Sequence, residues 1–368
     1  MTLGSVNEAS MSIYPSCPLR IINNSKLLAK QELYELGKNN NFTLTFANAN
    51  NQQFSIFYFQ NKDVILPSDR GKSCFFQGMH DNQLSALNVC ENDAISGLIP
   101  TKTNIFELKE EDGNFLLTPK IKNECHFSSR NKRSNTAKSP EYYSKLEDEK
   151  TRYLELALFL DNSMYVKYDK DEEKAVLRAQ AVTNIVNSLY FPFKVRVSLV
   201  YVEVWKDKDI FDVATAAEKT LDKFLEYRRQ IIRAHPHDNA HLLTNIRFEE
   251  GVLGKAYKGT MCSFDYSGGV DVDHSPNAAA VAATLAHEIG HNFGMDHDIM
   301  DGSSCSCPGP QCLMAPSLGQ VLPSFWSECS VDSIVNSFER GIDVCLENVP
   351  EKTLTKAVCG NGVVEGQE

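Results

Sequence analysis

The segment HEIGHNFGMDH, near residue 290, carries three histidines at spacings that fit a single metal ion. Residues four apart in a helix lie on the same face, so His287 and His291 can present two imidazoles to one ion. Gly294 can take a positive φ that ends the helix and turns the chain, which lets His297 return as a third ligand. Three neutral nitrogens leave a fourth position open to water, and this is the arrangement of a catalytic zinc site.

Glu288 follows the first of these histidines, close enough for its carboxylate to reach a water molecule on the metal. Bound zinc polarises a carbonyl group and lowers the pKa of water, and a carboxylate can take the proton of the attacking water. The alternative is an amphipathic helix with surface histidines, because H-E-x-x-H alone often occurs by chance. The added Gly294 and His297 favour the zinc site, with Glu288 as the general base.

Composition narrows the class of protein. A chain of 368 residues predicts two or more domains, and the net charge of −11 argues against a partner such as nucleic acid or an anionic membrane. The sequence contains no run of about 18 apolar residues, so it predicts no membrane-spanning helix.

The cysteines indicate the compartment. The first residues lack a signal peptide, yet seven of the 11 cysteines fall between Cys262 and Cys359. We therefore expect an oxidised protein of the secretory pathway whose N-terminal signal is missing from this sequence.

The chain changes character twice along its length. Residues 1–120 alternate short apolar runs with polar patches, which predicts a β-rich unit. A polar, basic stretch follows, and its R-x-K-R tetrad ending at Arg133 fits a cleavage site for a furin-like processing protease. The alternative is a solvated basic loop.

From residue 152 the pattern predicts strands that alternate with helices, and hence a three-layer α/β domain. Apolar spacing predicts a strand at the start of this region, in YLELALFLD, and further strands in KVRVSLVYVEVW (194–205), around 240–248 and at 253–258. It predicts helices over 171–190, roughly 213–234 and 278–293.

HEIGHNFGMDHD followed by CLMAP resembles the metzincin metallopeptidases, and within them the reprolysin or ADAM type. Met314 matches the methionine of the Met-turn, which forms an apolar floor under the metal, and Asp298 matches the aspartate after the third histidine. The resemblance implies a metzincin three-layer α/β fold with a twisted mixed sheet, an active-site helix and a small disulfide-rich C-terminal subdomain. It also implies that residues 251–262 form an edge strand above the cleft, which pairs with the substrate peptide by strand addition.

The resemblance extends to nearly the whole chain. It implies a β-rich prodomain at 1–133, a linker at 134–150, the metallopeptidase domain at 151–350 and the start of a disintegrin domain at 351–368. Six cysteines of the catalytic domain allow 15 pairings. The family pattern selects three of them: Cys262–Cys345, Cys305–Cys329 and Cys307–Cys312. The alternative is a zinc knuckle built on Cys305, Cys307 and Cys312, although an exported domain would oxidise these thiols.

Two further features rest on the resemblance alone. Members of the family bind calcium opposite the active site, and the matching positions are Glu155, Asp238, the Cys345 carbonyl and the Asn348 side chain. A prodomain cysteine can also occupy the open zinc position and keep the precursor latent. Cys125 is the candidate by placement, although the Gly-Val pair usual after this cysteine is absent, and an odd cysteine without this role is the alternative.

The leading hypothesis is a zinc endopeptidase that cleaves extracellular or cell-surface proteins, made as a latent precursor and activated after Arg133. We expect protein substrates, a furin-like processing protease and integrins as partners, and no nucleic acid. An adhesion module with an inert peptidase fold is the second hypothesis, and the presence of every ligand and of Glu288 disfavours it. A secreted relative, in place of a membrane-anchored one, is the third.

Overall fold

The structure is a computed structural model, and it describes most of the second half of the chain. The described residues are 145–146, 150–298, 305–307, 311–317, 323 and 325–351, together with strand segments between Cys17 and Pro119. The chain divides into two compact units, Met1–Ala137 with Val358–Asn361, and Lys138–Ala357 with Gly362–Glu368. Each unit is considered by itself. The domain boundaries expected at residues 133, 150 and 350 stay predictions.

Within its described residues the first unit is built from β-strands, as predicted. Eight strands form an antiparallel sheet in the order β1-β10-β9-β8-β7-β6-β3-β4, and β2 pairs with β5 in a separate parallel ribbon. The strands are β1 Cys17–Pro18, β2 Arg20–Ile21, β3 Phe42–Ala47, β4 Gln53–Tyr58, β5 Asp63–Val64, β6 Phe75–His80, β7 Gln83–Asn88, β8 Ser96–Pro100, β9 Ile105–Glu111 and β10 Asn114–Pro119.

The second unit contains one five-stranded sheet in the order β12-β11-β13-β15-β14. Its strands are β11 Arg152–Leu160, β12 Val195–Val204, β13 Asn239–Thr244, β14 Gly254–Ala256 and β15 Gly268–Val272. The first four in the sheet order are parallel, and β14 runs antiparallel along the edge next to β15. This mixed sheet agrees with the expected metzincin fold.

Five helices of the described residues accompany this sheet: α1 Asn162–Lys167, α2 Glu172–Tyr190, α3 Ala217–Ile231, α4 Ala278–Asn292 and α5 Glu328–Glu339. On one face Phe224 and Leu225 of α3 pack into a core with Phe159 and Leu242. On the other face α2 packs on β12 and α4 packs on β15. Central parallel strands are buried on both sides, which explains why β13 has no exposed residue. The unit therefore has the three layers that the sequence predicts.

Several element boundaries differ from the predicted ones. Helix α3 begins at Ala217 and not at 213, because Val213 belongs to the core around Trp205 and the chain is still extended at Ala216. Strand β14 ends at Ala256 because the following segment turns toward α4, where the Gly259 amide donates to the His291 carbonyl at 2.8 Å. Strand β15 and helices α1 and α5 were not predicted.

Three disulfides tie the C-terminal part of this unit. They join Cys262 to Cys345, Cys305 to Cys329 and Cys307 to Cys312, with Cα–Cα distances of 5.4, 5.3 and 5.8 Å. These are the pairs that the resemblance implies. Cys305, Cys307 and Cys312 are each in a disulfide bond, so their sulfurs are not available as thiolates for a zinc knuckle. Among the described residues no helix is long and apolar enough to cross a membrane.

Candidate active site

Helix α4 carries the first two histidines of the predicted zinc site. It begins after Asn277, whose side chain accepts a hydrogen bond from the Ala279 amide at 2.9 Å and so caps the first turn. His287 and His291 lie one turn apart on the same face, with their ring centroids 4.8 Å apart. Both side chains are partly exposed at one end of an otherwise buried helix.

The turn after α4 brings back the third histidine. Gly294 has φ of +92°, and its amide donates to the His291 carbonyl at 2.8 Å. The Nε2 atom of His297 then lies 3.1 Å from Nε2 of His287 and 3.1 Å from Nε2 of His291. Within the described part of the chain this is the one group of three potential ligands whose ligand atoms lie within 4.8 Å of one another.

The other ring nitrogens fix how two of the imidazoles are oriented. Nδ1 of His287 lies 2.6 Å from the Leu313 carbonyl, and Nδ1 of His291 lies 2.9 Å from the Met295 carbonyl. Because a carbonyl can only accept, each Nδ1 carries the proton, and each Nε2 keeps its lone pair for a metal. Burial, with the neighbouring histidines, lowers the pKa of His287 to about 4. Burial also lowers the pKa of His291. Neutral imidazoles that converge in this way fit a tetrahedral zinc ion with one open position.

Met314 packs against α4 at Gly290, which lies between His287 and His291 in the sequence, and leaves no room for a side chain there. A Cβ on Gly290 would lie 2.7 Å from Sδ of Met314, which is fully buried. A backbone hydrogen bond also joins Met314 to the loop of the third histidine, since the Asp298 amide donates to the Met314 carbonyl at 2.7 Å. The Asp298 carboxylate accepts a hydrogen bond from Ser327, the residue that caps α5. Asp298 thereby links the loop of the third histidine to the C-terminal helix.

Glu288 is buried beside the histidines, with only 5% of its surface exposed. Its carboxylate lies against Gly254 of the edge strand, where a Cβ would lie 2.6 Å from Oε1. Burial raises the pKa of Glu288 above its usual range, and the nearby Asp271 carboxylate raises it further. The base predicted from sequence therefore lies between the zinc-binding face of α4 and the rim of the sheet.

Asp271 and its partner His241 are neighbours of the site that the sequence analysis missed. Asp271 is opposite Gly254 in the β14–β15 ladder, and its Oδ2 lies 2.7 Å from Nδ1 of His241 on β13. Both side chains are completely buried. A histidine in the apolar strand NAHLLT and an aspartate in GGVDVD were the available signals, although their pairing depends on the sheet order.

The edge strand β14 leaves polar backbone groups free beside Glu288. The Leu253 carbonyl accepts from the Val272 amide at 2.7 Å, which marks a hydrogen-bonded pair of the antiparallel ladder. Since such pairs alternate along a strand, the N–H and C=O groups of Gly254 and Ala256 point away from β15, toward the open edge. An extended peptide could add there as a further strand.

Asn292, the last residue of α4, fastens the loop that follows β14. Its Nδ2 donates to the Tyr257 carbonyl at 2.9 Å and to Oγ1 of Thr260 at 3.0 Å. Its Oδ1 accepts from Nδ2 of Asn239 at 2.7 Å. The side chain is fully buried, so this contact holds the loop, the helix and β13 together. The sequence analysis did not single out this residue.

Three of the four residues expected to bind calcium lie together beside β11, the strand that contains Glu155. Nδ2 of Asn348 lies 3.2 Å from Oε2 of Glu155, and the Glu155 amide donates to Oδ2 of Asp238 at 2.9 Å. Burial, together with the charge of Glu155, raises the pKa of Asp238 to about 7. Cys345 is near in sequence and is bonded to Cys262. Cys125, Arg133 and residues 352–368 lie outside the described residues.

A convergent histidine triad with a buried carboxylate, placed below the open edge of a mixed sheet, defines a domain of the zinc metallopeptidase class. Residues 152–350 match the reprolysin (M12B) family of zinc metalloproteases. The chain therefore belongs to the reprolysin family, in agreement with the resemblance found in the sequence.

Individual relatives match over much of the chain. The disintegrin and metalloproteinase domain-containing protein adm-2 of Caenorhabditis elegans is 41% identical over 96% of this chain and 39% of the relative. Mouse disintegrin and metalloproteinase domain-containing protein 12 is 33% identical over 83% of this chain and 36% of the relative. Brevilysin H2a of Gloydius brevicauda, a zinc metalloproteinase-disintegrin-like protein, is 37% identical over 59% of this chain and 52% of the relative. The chain thus spans between about a third and half of the length of these relatives.

Proposed function

We propose that this chain is a zinc-dependent endopeptidase in which His287, His291 and His297 hold the metal and Glu288 is the general base. The observation that carries the proposal is the convergence of three Nε2 atoms beside a buried carboxylate, directly below a free strand edge. The competing function, an inert adhesion module, does not require a base or an open ligand position, and the site offers both.

The residues of the chain have distinct tasks in the proposed reaction. Zinc, when bound, polarises the substrate carbonyl and lowers the pKa of water. Gly254 and Ala256 hold the substrate backbone as an added strand, so that a peptide bond lies over the histidines. Glu288 takes a proton from the attacking water and delivers it to the leaving amine. Its raised pKa suits this role, because the carboxyl group must first accept the proton and later release it.

Replacing the proposed base tests this function. The Glu288→Ala variant of the mature domain should cleave a general protein substrate about 10²–10⁴-fold more slowly, since it loses proton transfer. It should keep its zinc, because Glu288 is not among the three ligands. Glu226→Ala, which removes an exposed carboxylate from α3, is the matched control and should cleave normally. Equal cleavage by the Glu288→Ala variant and the unmutated domain would show that the proposal is wrong.

The chain is further proposed to be a latent precursor that a furin-like protease cleaves after Arg133. The R-x-K-R tetrad precedes the family domain, and Cys125 lies eight residues before Arg133, where its thiolate can take the open zinc position. The Arg133→Ala variant should remain uncleaved during secretion. Adding Cys125→Ser to the Arg133→Ala variant should give an uncleaved chain that already hydrolyses substrate. If this uncleaved chain stays inactive, another group causes the latency.

The proposed substrates are proteins outside the cell or at its surface. The disulfides indicate an oxidising compartment, and the names of several relatives include a disintegrin part. Residues 351–368 are proposed to begin such a domain, and integrins are the proposed partners. Glycosylation and secretion of the expressed full-length protein test the location. Retention in the cytosol with reduced cysteines would contradict it.

A structural calcium ion is proposed between Glu155, Asp238 and Asn348, with the Cys345 carbonyl as the fourth protein ligand. Two carboxylates and amide or carbonyl oxygens are the ligands that calcium prefers. The buried Asp238 carboxylate accepts a hydrogen bond from the Glu155 amide at 2.9 Å, and the nearby Arg228 guanidinium donates to the Asp238 carbonyl at 3.2 Å. An ion there would offset the proximity of the two acidic groups, and the Asn348 amide would need to turn its oxygen toward the ion.

A further inference from the structure

Lys258 and Asp296 form an ion pair on the rim of the cleft that the proposed mechanism does not use. Nζ of Lys258 lies 2.5 Å from Oδ1 of Asp296, and the side chains are 50% and 76% exposed. Lys258 is two residues beyond β14, and Asp296 directly precedes His297. The pair therefore joins the end of the edge strand to the loop of the third histidine.

The backbone fixes where this pair lies. The amide of Gly259, the residue after Lys258, donates to the His291 carbonyl at 2.8 Å. This bond holds Lys258 at the point where the chain leaves the sheet and reaches α4. An extended peptide on the free edge of β14 advances about 3.3 Å per residue. It passes the end of the edge strand, and hence the ion pair, within two or three residues of the bond that lies over the histidines.

The Asp296 carboxylate can take a second partner besides Lys258. Asp296 is the more exposed partner, and its carboxylate is open to a second cation from solvent. A carboxylate can accept hydrogen bonds on both oxygens, so it can bind Lys258 and an arginine or lysine of the substrate together.

The direction of the substrate strand decides which substrate residues meet the pair. Antiparallel pairing is slightly more stable per residue than parallel pairing, and β14 already pairs antiparallel with β15. A substrate that runs antiparallel to β14 has its amino-terminal side toward Lys258. The pair is then adjacent to the residues that precede the cleaved bond.

We propose that the Lys258–Asp296 pair is a specificity determinant that favours a basic side chain two or three residues before the scissile bond. Asp296 contacts that side chain, and Lys258 orients the carboxylate and limits its attraction for cations. This inference rests on the proposed peptidase function.

Three variants with opposite expectations test the inference. Peptides that differ only in arginine, alanine or glutamate at these two positions are compared by their kcat/KM values. The unmutated domain should prefer arginine to alanine by about two- to fivefold, the size expected of an exposed ion pair. Asp296→Asn should abolish this preference, Lys258→Ala should increase it, and the double variant Lys258→Glu with Asp296→Lys should favour glutamate.

A matched ion pair elsewhere supplies the control. Nζ of Lys174 lies 2.7 Å from Oδ2 of Asp169, with exposures of 47% and 78%, at the start of α2. Exchange of these two charges should leave the preference unchanged. Zinc content is measured for every variant, because Asp296 adjoins His297. The same peptides are also bound to each protein with Glu288→Ala added. Fluorescence anisotropy measures this binding and reports the preference without turnover.

The two proposals can fail separately. If the unmutated domain cleaves the peptides but the charge variants keep its preference, the inference is wrong and the peptidase function stands. If no peptide is cleaved by the zinc-loaded domain, the peptidase function is contradicted. In that case, equal binding of arginine and glutamate peptides overturns the inference as well. A preference for basic residues only after the cleaved bond also overturns it.

Discussion

The Glu288 carboxylate lies directly against Gly254, which is 34 residues earlier in the chain and has no side chain to displace it. An added Cβ would lie 2.6 Å from Oε1 and 2.7 Å from Cγ of Glu288. The edge strand proposed to hold substrate therefore also sets the position of the proposed base. This contact explains why a glycine is needed at the start of β14.

The Gly254→Ala variant should be folded but poorly active. The new methyl group meets the end of a side chain and not the backbone, so Glu288 can move aside at little cost to stability. Displacing a catalytic group by about 1 Å can cost on the order of 10²-fold in rate. We expect kcat to fall at least about tenfold with an unchanged melting temperature and zinc content. An unchanged kcat would show that the contact does not position Glu288.

Metal-free protein should lose stability as the solution is acidified. Burial lowers the pKa of His287 to about 4 and that of His237 to about 3, from an ordinary value of 6.5. Between about pH 3 and pH 6.5 the unfolded chain therefore binds more protons than the folded protein. The stability contribution is present above pH 6.5 and is lost as the pH falls toward 3. Urea unfolding of metal-free protein at several pH values measures the loss.

A single replacement isolates the part of His287 in this pH dependence. The His287→Gln variant should lose less stability than the unmutated metal-free protein between pH 6.5 and 4, because one proton-binding site is gone. An identical slope for the two proteins would contradict the assigned burial effect. In the zinc-loaded protein, acid should also release the metal, since protons compete for the same nitrogens.

The disulfides should differ in their contribution to stability. Cys262 and Cys345 are separated by 83 residues, whereas Cys307 and Cys312 are separated by 5. By loop-closure entropy, replacing the first pair with serines should cost about 4–5 kcal/mol and replacing the second about 2 kcal/mol. Chemical denaturation of the two double-serine variants measures both values. A larger loss for the short loop would show that chain entropy does not dominate.

Calcium should raise the melting temperature through Asp238. Burial and Glu155 raise the pKa of Asp238 to about 7 in the protein without the ion, so binding should weaken as the pH falls below 7. Asp238→Asn should abolish the calcium effect, and Asp207→Asn, at an exposed position, should preserve it. If the Asp238→Asn protein is still stabilised by calcium to the same extent, the ion binds elsewhere.

Local patterns predicted a large part of the metal centre. The candidate zinc site depends on a helix that brings His287 and His291 onto one face, and on one glycine turn that returns His297. All of these relationships lie within eleven consecutive residues. Helical periodicity and glycine conformation are properties of the local backbone, so the spacing alone was enough to predict the convergence of the three rings.

Boundaries of elements were predicted less well. The predicted start of α3 at 213 was wrong because Val213, although apolar, precedes the helix and packs in the core with Trp205. Strand β14 is shorter than predicted because Asn292 and the His291 carbonyl draw the following loop onto α4. Such contacts depend on segments that are far apart in the chain, and periodicity contains no information about them.

The sequence by itself was enough to predict the candidate ligands, the candidate base and the alternation of strands and helices, since these follow from local spacing. Only the tertiary structure decided what surrounds the base and the cleft. The sheet order places Asp271 and His241 behind Glu288, and the docking of the β14 loop on α4 brings Lys258 to Asp296. These pairs are 30 and 38 residues apart, and they meet because burial of the apolar faces of the sheet and helices packs the elements in one arrangement.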